Sequence, residues 1–273
     1  MKKLIDFDGL FDERLAQYMQ ENAKKYTEKQ WETIIPRLYK KFGETVIARL
    51  GTTPQGYYAA MDDKVLVETL VRHTQEDVPV SDFLCREIEQ RRPDGLFSLI
   101  LCENQQLALF AVNLAGEDQR ADSAYFTIIG TSGDEELKDA VCDRLKAAAD
   151  RVKEQAKAFY EKGTDRERML EILSRVRARD EKVFEILMRE FKESGENLPM
   201  RASYLAAYGD ERALPVLLDT IDRDDINYLE FQELKFAIEA LGGEYTTPRD
   251  FSDDAYYQEV RRQSALPPSE DKK

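Results

Sequence analysis

Histidine, cysteine and long apolar runs are scarce in this 273-residue chain, and each scarcity removes a class of chemistry. His73 is the only histidine, so His-rich Zn²⁺ sites are excluded and a Ser–His–Asp triad would have to be built on that one residue. Its register with Leu66 and Leu70 predicts a packed core histidine. Cys85, Cys102 and Cys142 are odd in number, widely spaced and without a CxxC pair, which reads as buried free thiols in a reducing compartment. No GxxxxGK[ST] occurs and no GxGxxG follows a strand pattern, so a nucleotide has no recognisable cradle. No run approaches the roughly 18 apolar residues of a membrane span. Met1-Lys2-Lys3-Leu4-Ile5 imitates a signal-peptide start, but Asp6, Asp8, Asp12 and Glu13 occupy the place of its apolar core. A cytoplasmic protein with no cofactor, no metal and no catalytic constellation is expected.

What the chain does have is charge. Charged residues make up 34% and apolar ones 42%, with only 13 Gly and 9 Pro, the composition of helices that expose much surface. The net charge of −14 is uneven: residues 1–60 carry ten Lys/Arg against eight Asp/Glu, whereas 61–243 carry 25 against 39. An acidic body repels nucleic acid and anionic membranes and favours a basic partner; the plainer account is surface kept for solubility.

Helical punctuation runs the whole length. Thr27 with Gln30 forms a capping box and Tyr26 with Trp31 a hydrophobic staple, opening a helix over 27–42 in which Pro36 predicts a kink or a split. Gly43 and Gly51 are predicted helix stops, and GTTPQG (51–56) a loop. Val65, Leu66, Thr69, Leu70 and His73 share one helical face, Ser81 is predicted to cap 82–90, and 96–101 and 106–114 are further apolar helical stretches, the second ended by Gly116. AYFTII (124–129) has the only strand-like composition, but nothing nearby can pair with it, so it reads as a buried helix. A stripe from Leu137 to Phe159 predicts either one long helix over 134–162 or two broken near Ala149. Thr164 with Glu167 suggests a second capping box opening 165–178, and Val183, Phe184, Leu187, Met188 and Phe191 form the next stripe. Ser252 is predicted to cap a last short helix with Phe251 and Tyr256 as its staple, and 266–273 reads as disordered.

A repeat emerges late. Asp180 to Met188 aligns with Asp210 to Leu218 at an offset of 30, and Gly209 and Gly242, each predicted to end a helix, lie 33 apart. MRASYLAAYGDERALPVLL (200–218) resembles the HEAT repeat of bacterial HEAT-like proteins: Met200-Arg201 stands where that repeat has Val-Arg, Ala207 at its late Ala, and Gly209 to Pro215 at the turn into the next helix. Ala240-Leu241-Gly242 is similar to the repeat's Ala-Leu-Gly ending. The likeness covers 180–243, is weak over 63–178 and absent from 1–60. Leu234 departs from it, standing in place of the second repeat's Arg and interrupting the usual Arg–Asp ladder. The resemblance implies a right-handed α-solenoid of HEAT-like antiparallel helix pairs over 61–243, with a helical N-terminal cap at 1–60 and a short helix and tail at 244–273. That group is defined by a fold and no activity.

Candidate sites are few. DRDDINYLEFQE (222–233) imitates a calcium-binding EF-hand loop, with Asp222, Asp224 and Glu233 at ligand positions, but Ile226 cannot ligate and Asn227 replaces the turn glycine, so a structural turn is expected. Lys24, Lys25, Lys29, Arg37, Lys40, Lys41 and Arg49 interleave with Trp31, Tyr39, Tyr57 and Tyr58, as in nucleic-acid grips; a cap balancing the acidic body is favoured. Tyr204, Tyr208 and Tyr228 are the candidate partner-binding residues, with packing between repeats as their alternative role. The expected function is a non-catalytic, protein-binding scaffold or adaptor whose partner is a basic protein or peptide. A nucleic-acid enzyme of the HEAT-like DNA glycosylase type and a bilin-lyase-like protein are the alternatives that the resemblance suggests.

Overall fold

The computed structural model describes residues 3–265. Helix makes up 70% of the chain and no strand occurs among the described residues, so the all-α class read from the 3.6-residue period is what the chain adopts. A single isolated antiparallel bridge joins Ile47 to Thr52. The chain divides into two compact units between Val141 and Cys142. The tail expected to be disordered from Leu266 onward lies outside the described residues.

The first unit comprises α1 (Phe7–Asn22), α2 (Glu28–Gly43), α3 (Pro54–Ala59), α4 (Asp63–Gln75), α5 (Asp82–Arg91), α6 (Asp94–Leu99), α7 (Gln105–Ala115), α8 (Asp122–Thr131) and the start of α9 (Glu135–Ala147). The Thr27–Gln30 capping box forms, and the Tyr26 and Trp31 rings meet edge to face at 5.1 Å. Helix α2 is not split at Pro36; that ring is exposed, so water can serve the carbonyl it leaves without a donor. Gly43 ends this helix where an added Cβ would come within 2.4 Å of the Phe83 ring. Gly51 instead closes a turn, its N–H donating to Ile47. The expected loop at 51–56 is half helix: Thr53 accepts from the Gly56 N–H at 2.9 Å and Pro54 starts α3. Ser81 stands at the start of α5 but its hydroxyl makes no cap bond.

Residues 1–60 pack into the same unit as 61–141. Tyr39 stacks on Phe83 at 4.7 Å, Phe7 meets Tyr58 edge to face at 5.6 Å, and the Arg91 guanidinium donates to the carbonyls of Ala59 and Met61, both at 2.7 Å. AYFTII lies within α8, where Tyr125, Phe126, Ile128 and Ile129 are buried.

The second unit holds the end of α9, then α10 (Ala149–Glu161), α11 (Arg166–Leu173), α12 (Glu181–Lys192), α13 (Leu198–Tyr208), α14 (Leu214–Ile221), α15 (Tyr228–Ala240) and α16 (Ala255–Ala265). The long stripe at 134–162 is two helices, separated where Ala148 leaves helical geometry. Helices α10 and α11, α12 and α13, and α14 and α15 pack in pairs, and α13 also packs on both α11 and α15. Gly209 ends α13 in the left-handed region at φ 78°, which a side chain would disfavour.

In the second unit three boundaries differ from expectation. Asp165, not Thr164, caps α11, accepting from the Arg168 N–H, because the Glu167 side chain is taken by Arg201. That helix ends at Leu173 rather than 178, since the N–H groups of Arg177 and Ala178 donate to Asp150 instead of continuing the ladder. Asp254, not Ser252, caps α16, and Phe251 pairs with Tyr228 and Tyr257 instead of stapling to Tyr256.

Candidate functional site

The turn at 222–233 is held by hydrogen bonds and ion pairs within the second unit. Asp222 accepts from the Tyr245 hydroxyl at 2.7 Å, Asp225 pairs with Arg223 at 2.6 Å, and the Asp224 carbonyl accepts from Arg249 at 2.9 Å. Ile226 is buried, and Asn227 caps α15 in a reciprocal box with Glu230. His73 is buried, its Nδ1 lying 3.1 Å from the Val78 carbonyl. Of the thiols, Cys142 is buried, whereas Cys85 and Cys102 are half-buried rather than fully enclosed.

The aromatic residues among the N-terminal bases are held inside their unit. Trp31 and Tyr58 are buried; Tyr39 donates to Asp8 at 2.7 Å and Tyr57 to the Lys3 carbonyl at 2.6 Å. Burial raises the Asp8 carboxyl above its ordinary value, against the opposing hydrogen bond from Tyr39.

The three candidate tyrosines occupy different settings. The Tyr208 hydroxyl donates to the Asp180 carbonyl and accepts from the Asp180 N–H, both at 3.0 Å. Tyr228 sits in a ring cluster with Tyr257 at 4.9 Å and Phe251 at 5.3 Å, and its N–H donates to Asp254. Tyr204 is 8% exposed, burial raising its hydroxyl pKa, and it lines a cleft.

That cleft lies wholly within the second unit and has a volume of about 540 Å³. Its apolar wall is Met200 and Tyr204 on α13 and Phe236 on α15; its charged wall is Lys146, Glu171 and Arg175. Lys146 is bound at 3.2 Å by Glu171 and at 2.7 Å by Asp143. Cys142 lies 3.8 Å from the Glu171 carboxylate, but burial pushes its thiol up to about 12, so it offers no thiolate at neutral pH. Met200 is 46% exposed and Phe236 62% exposed. A larger hollow, about 870 Å³, opens in the first unit beside Leu4, Ile5 and Tyr57. Its apolar side chains are half-buried, and Lys3 and Arg49 face it together with Glu13.

Met200, Phe236 and Arg175 were not among the candidate site residues, although two carried a signal. Buried Phe231, Leu234, Ile238 and Leu241 keep steps of three and four along α15, and Phe236 falls off that stripe. Met200 falls off the stripe of Leu198, Ala202 and Leu205 in the same way. A large apolar residue off the packing stripe faces outward. No sequence family, curated protein or solved structure matches the chain.

Proposed function

We propose that this protein is a non-catalytic, protein-binding scaffold of HEAT-like helix pairs, and that the cleft between α11, α13 and α15 receives a segment of its partner. The observation that carries this reading is the joint exposure of Met200 and Phe236 on the wall of one cleft. Apolar surface left in water forgoes about 25 cal/mol per Å², and large exposed side chains gathered at a concavity are the usual mark of an interaction site. The packing of α13 on both α11 and α15 supports the solenoid arrangement, because helices stacked in this order present one continuous face. Rigid helices also let a segment bind without the ordering cost that a loop-built site would add.

Panning a random peptide display library on the full chain tests the reading. Enriched peptides should share an apolar anchor and lose at least tenfold in affinity for a Met200→Asp/Phe236→Asp variant whose far-UV circular dichroism is unchanged. Equal binding to both proteins, or no enrichment at all, would sink it.

A further inference from the structure

The cleft does not end at its apolar wall. A second hollow of about 290 Å³ shares Lys146 and Arg175 with it and continues past Asp150 to Arg177. One groove thus runs from an apolar end at Met200, Tyr204 and Phe236 to a charged end, where Arg175 and Arg177 stand beside Asp150 and beside Lys146, whose ammonium Asp143 and Glu171 already hold. In a chain of net charge −14, residues 142–180 carry eleven Lys/Arg against eight Asp/Glu, a local basic excess as in residues 1–60.

The carboxylates at this end already have partners within the chain. Glu171 holds Lys146, and one Asp150 oxygen accepts the N–H groups of Arg177 and Ala178 at 3.0 and 2.9 Å. Those two bonds also fix the path of the Arg175-Val176-Arg177 turn, and buried Val176 anchors it from below. The guanidiniums of Arg175 and Arg177 are exposed and have no carboxylate partner among the described residues. Arginine presents a planar fork that carboxylates fit, and here the fork stands on a held backbone.

Resting on the reading of the cleft as a peptide site, we infer that its occupant is an acidic segment of a partner protein: an apolar side chain seated against Met200, Tyr204 and Phe236, with Asp or Glu beside it on Arg175 and Arg177. The excess acid of the chain lies outside this groove, so the basic partner suggested by net charge does not fit here. Local charge decides, because exposed charges are screened beyond about 8 Å at physiological salt.

The test is fluorescence polarisation with labelled decapeptides that keep one Leu or Phe anchor and vary the flanks among Asp/Glu, Ser and Lys. The chain's own residues 266–273 and a single-stranded oligonucleotide are run alongside. Acid-flanked peptides should bind about tenfold tighter than Ser-flanked ones, the sum of a few exposed ion pairs. Arg175→Glu/Arg177→Glu should erase that advantage and leave the Ser-flanked peptides unchanged, while Met200→Asp/Phe236→Asp weakens every peptide. Anchored binding that ignores flank charge, or prefers Lys, overturns the acidic occupant and leaves the cleft reading standing. Failure of every peptide overturns both. Tightest binding by the 266–273 peptide assigns the groove to the chain's own end, and tightest binding by the oligonucleotide, lost in the Arg variant, assigns it to nucleic acid; either overturns the inference.

Discussion

The buried guanidinium of Arg201 on α13 donates to both carboxylate oxygens of Glu167 on α11, 34 residues earlier, the Nη1 bond measuring 2.7 Å. Arg201 has a side chain only 6% exposed, whereas Glu167 is 52% exposed. The pair couples two helices that line the cleft. Glu167→Gln should lower unfolding stability in urea by about 1–2 kcal/mol, the range for a charge-assisted hydrogen bond discounted because its acceptor reaches water. The hydrogen bonds from Arg201, opposed by partial burial, hold the Glu167 carboxyl below its ordinary value. Its contribution is therefore complete above the ordinary glutamate pKa of about 4.3 and is lost as pH falls through the depressed folded value. Wild type and variant should converge in acid; a difference that grows there contradicts the assignment.

Asp118 offers a sharper pH test in the first unit. Arg120 binds its carboxylate at 2.8 Å and donates its own N–H at 3.0 Å, and these bonds depress the Asp118 pKa to about 2. Stability from this group is present above about 4, the ordinary Asp value, and drains away toward pH 2. Asp118→Asn should melt lower than wild type at pH 6, and the gap should close as pH falls from 4 toward 2. A constant gap would mean that the ionised carboxylate contributes nothing.

The Tyr208 hydroxyl closes a two-way bond with the backbone of Asp180, tying the end of α13 to the start of α12. Tyr208→Phe keeps the ring and removes both bonds, leaving a partly buried N–H and carbonyl without this partner. A loss of about 1–2 kcal/mol is expected in chemical denaturation. No measurable loss would show that water replaces the hydroxyl freely.

For the Asp222–Glu233 turn, stability should come from Asn227 and not from an ion. Asn227→Ala should cost about 1 kcal/mol, the usual value of a helix cap. Millimolar CaCl₂ should leave the melting temperature of the wild type unmoved. A calcium-dependent rise that disappears in Glu233→Gln would prove this turn to be a working site.

Much of the fold was legible because its signals are local. The Thr27–Gln30 box, the apolar stripes at 3.6-residue spacing and the glycines at 209 and 242 act within a few residues of themselves, so the chain carries them whatever it packs against. The Asn227–Glu230 capping box that opens α15 is likewise local. Other outcomes were competitions between partners far apart in sequence. Glu167 could cap its own helix or answer Arg201, and the buried guanidinium won because, with only Glu190 at 3.7 Å besides, losing its two-oxygen partner costs more than one open N–H. Asp150 stopped α11 from a position 27 residues upstream of the N–H it accepts. The groove belongs to this second kind. Composition located the acid of the chain, but only packing set Phe236 beside Met200 and Arg175 beside Lys146, since adjacency between helices depends on which faces are buried and not on which residues are neighbours in the sequence.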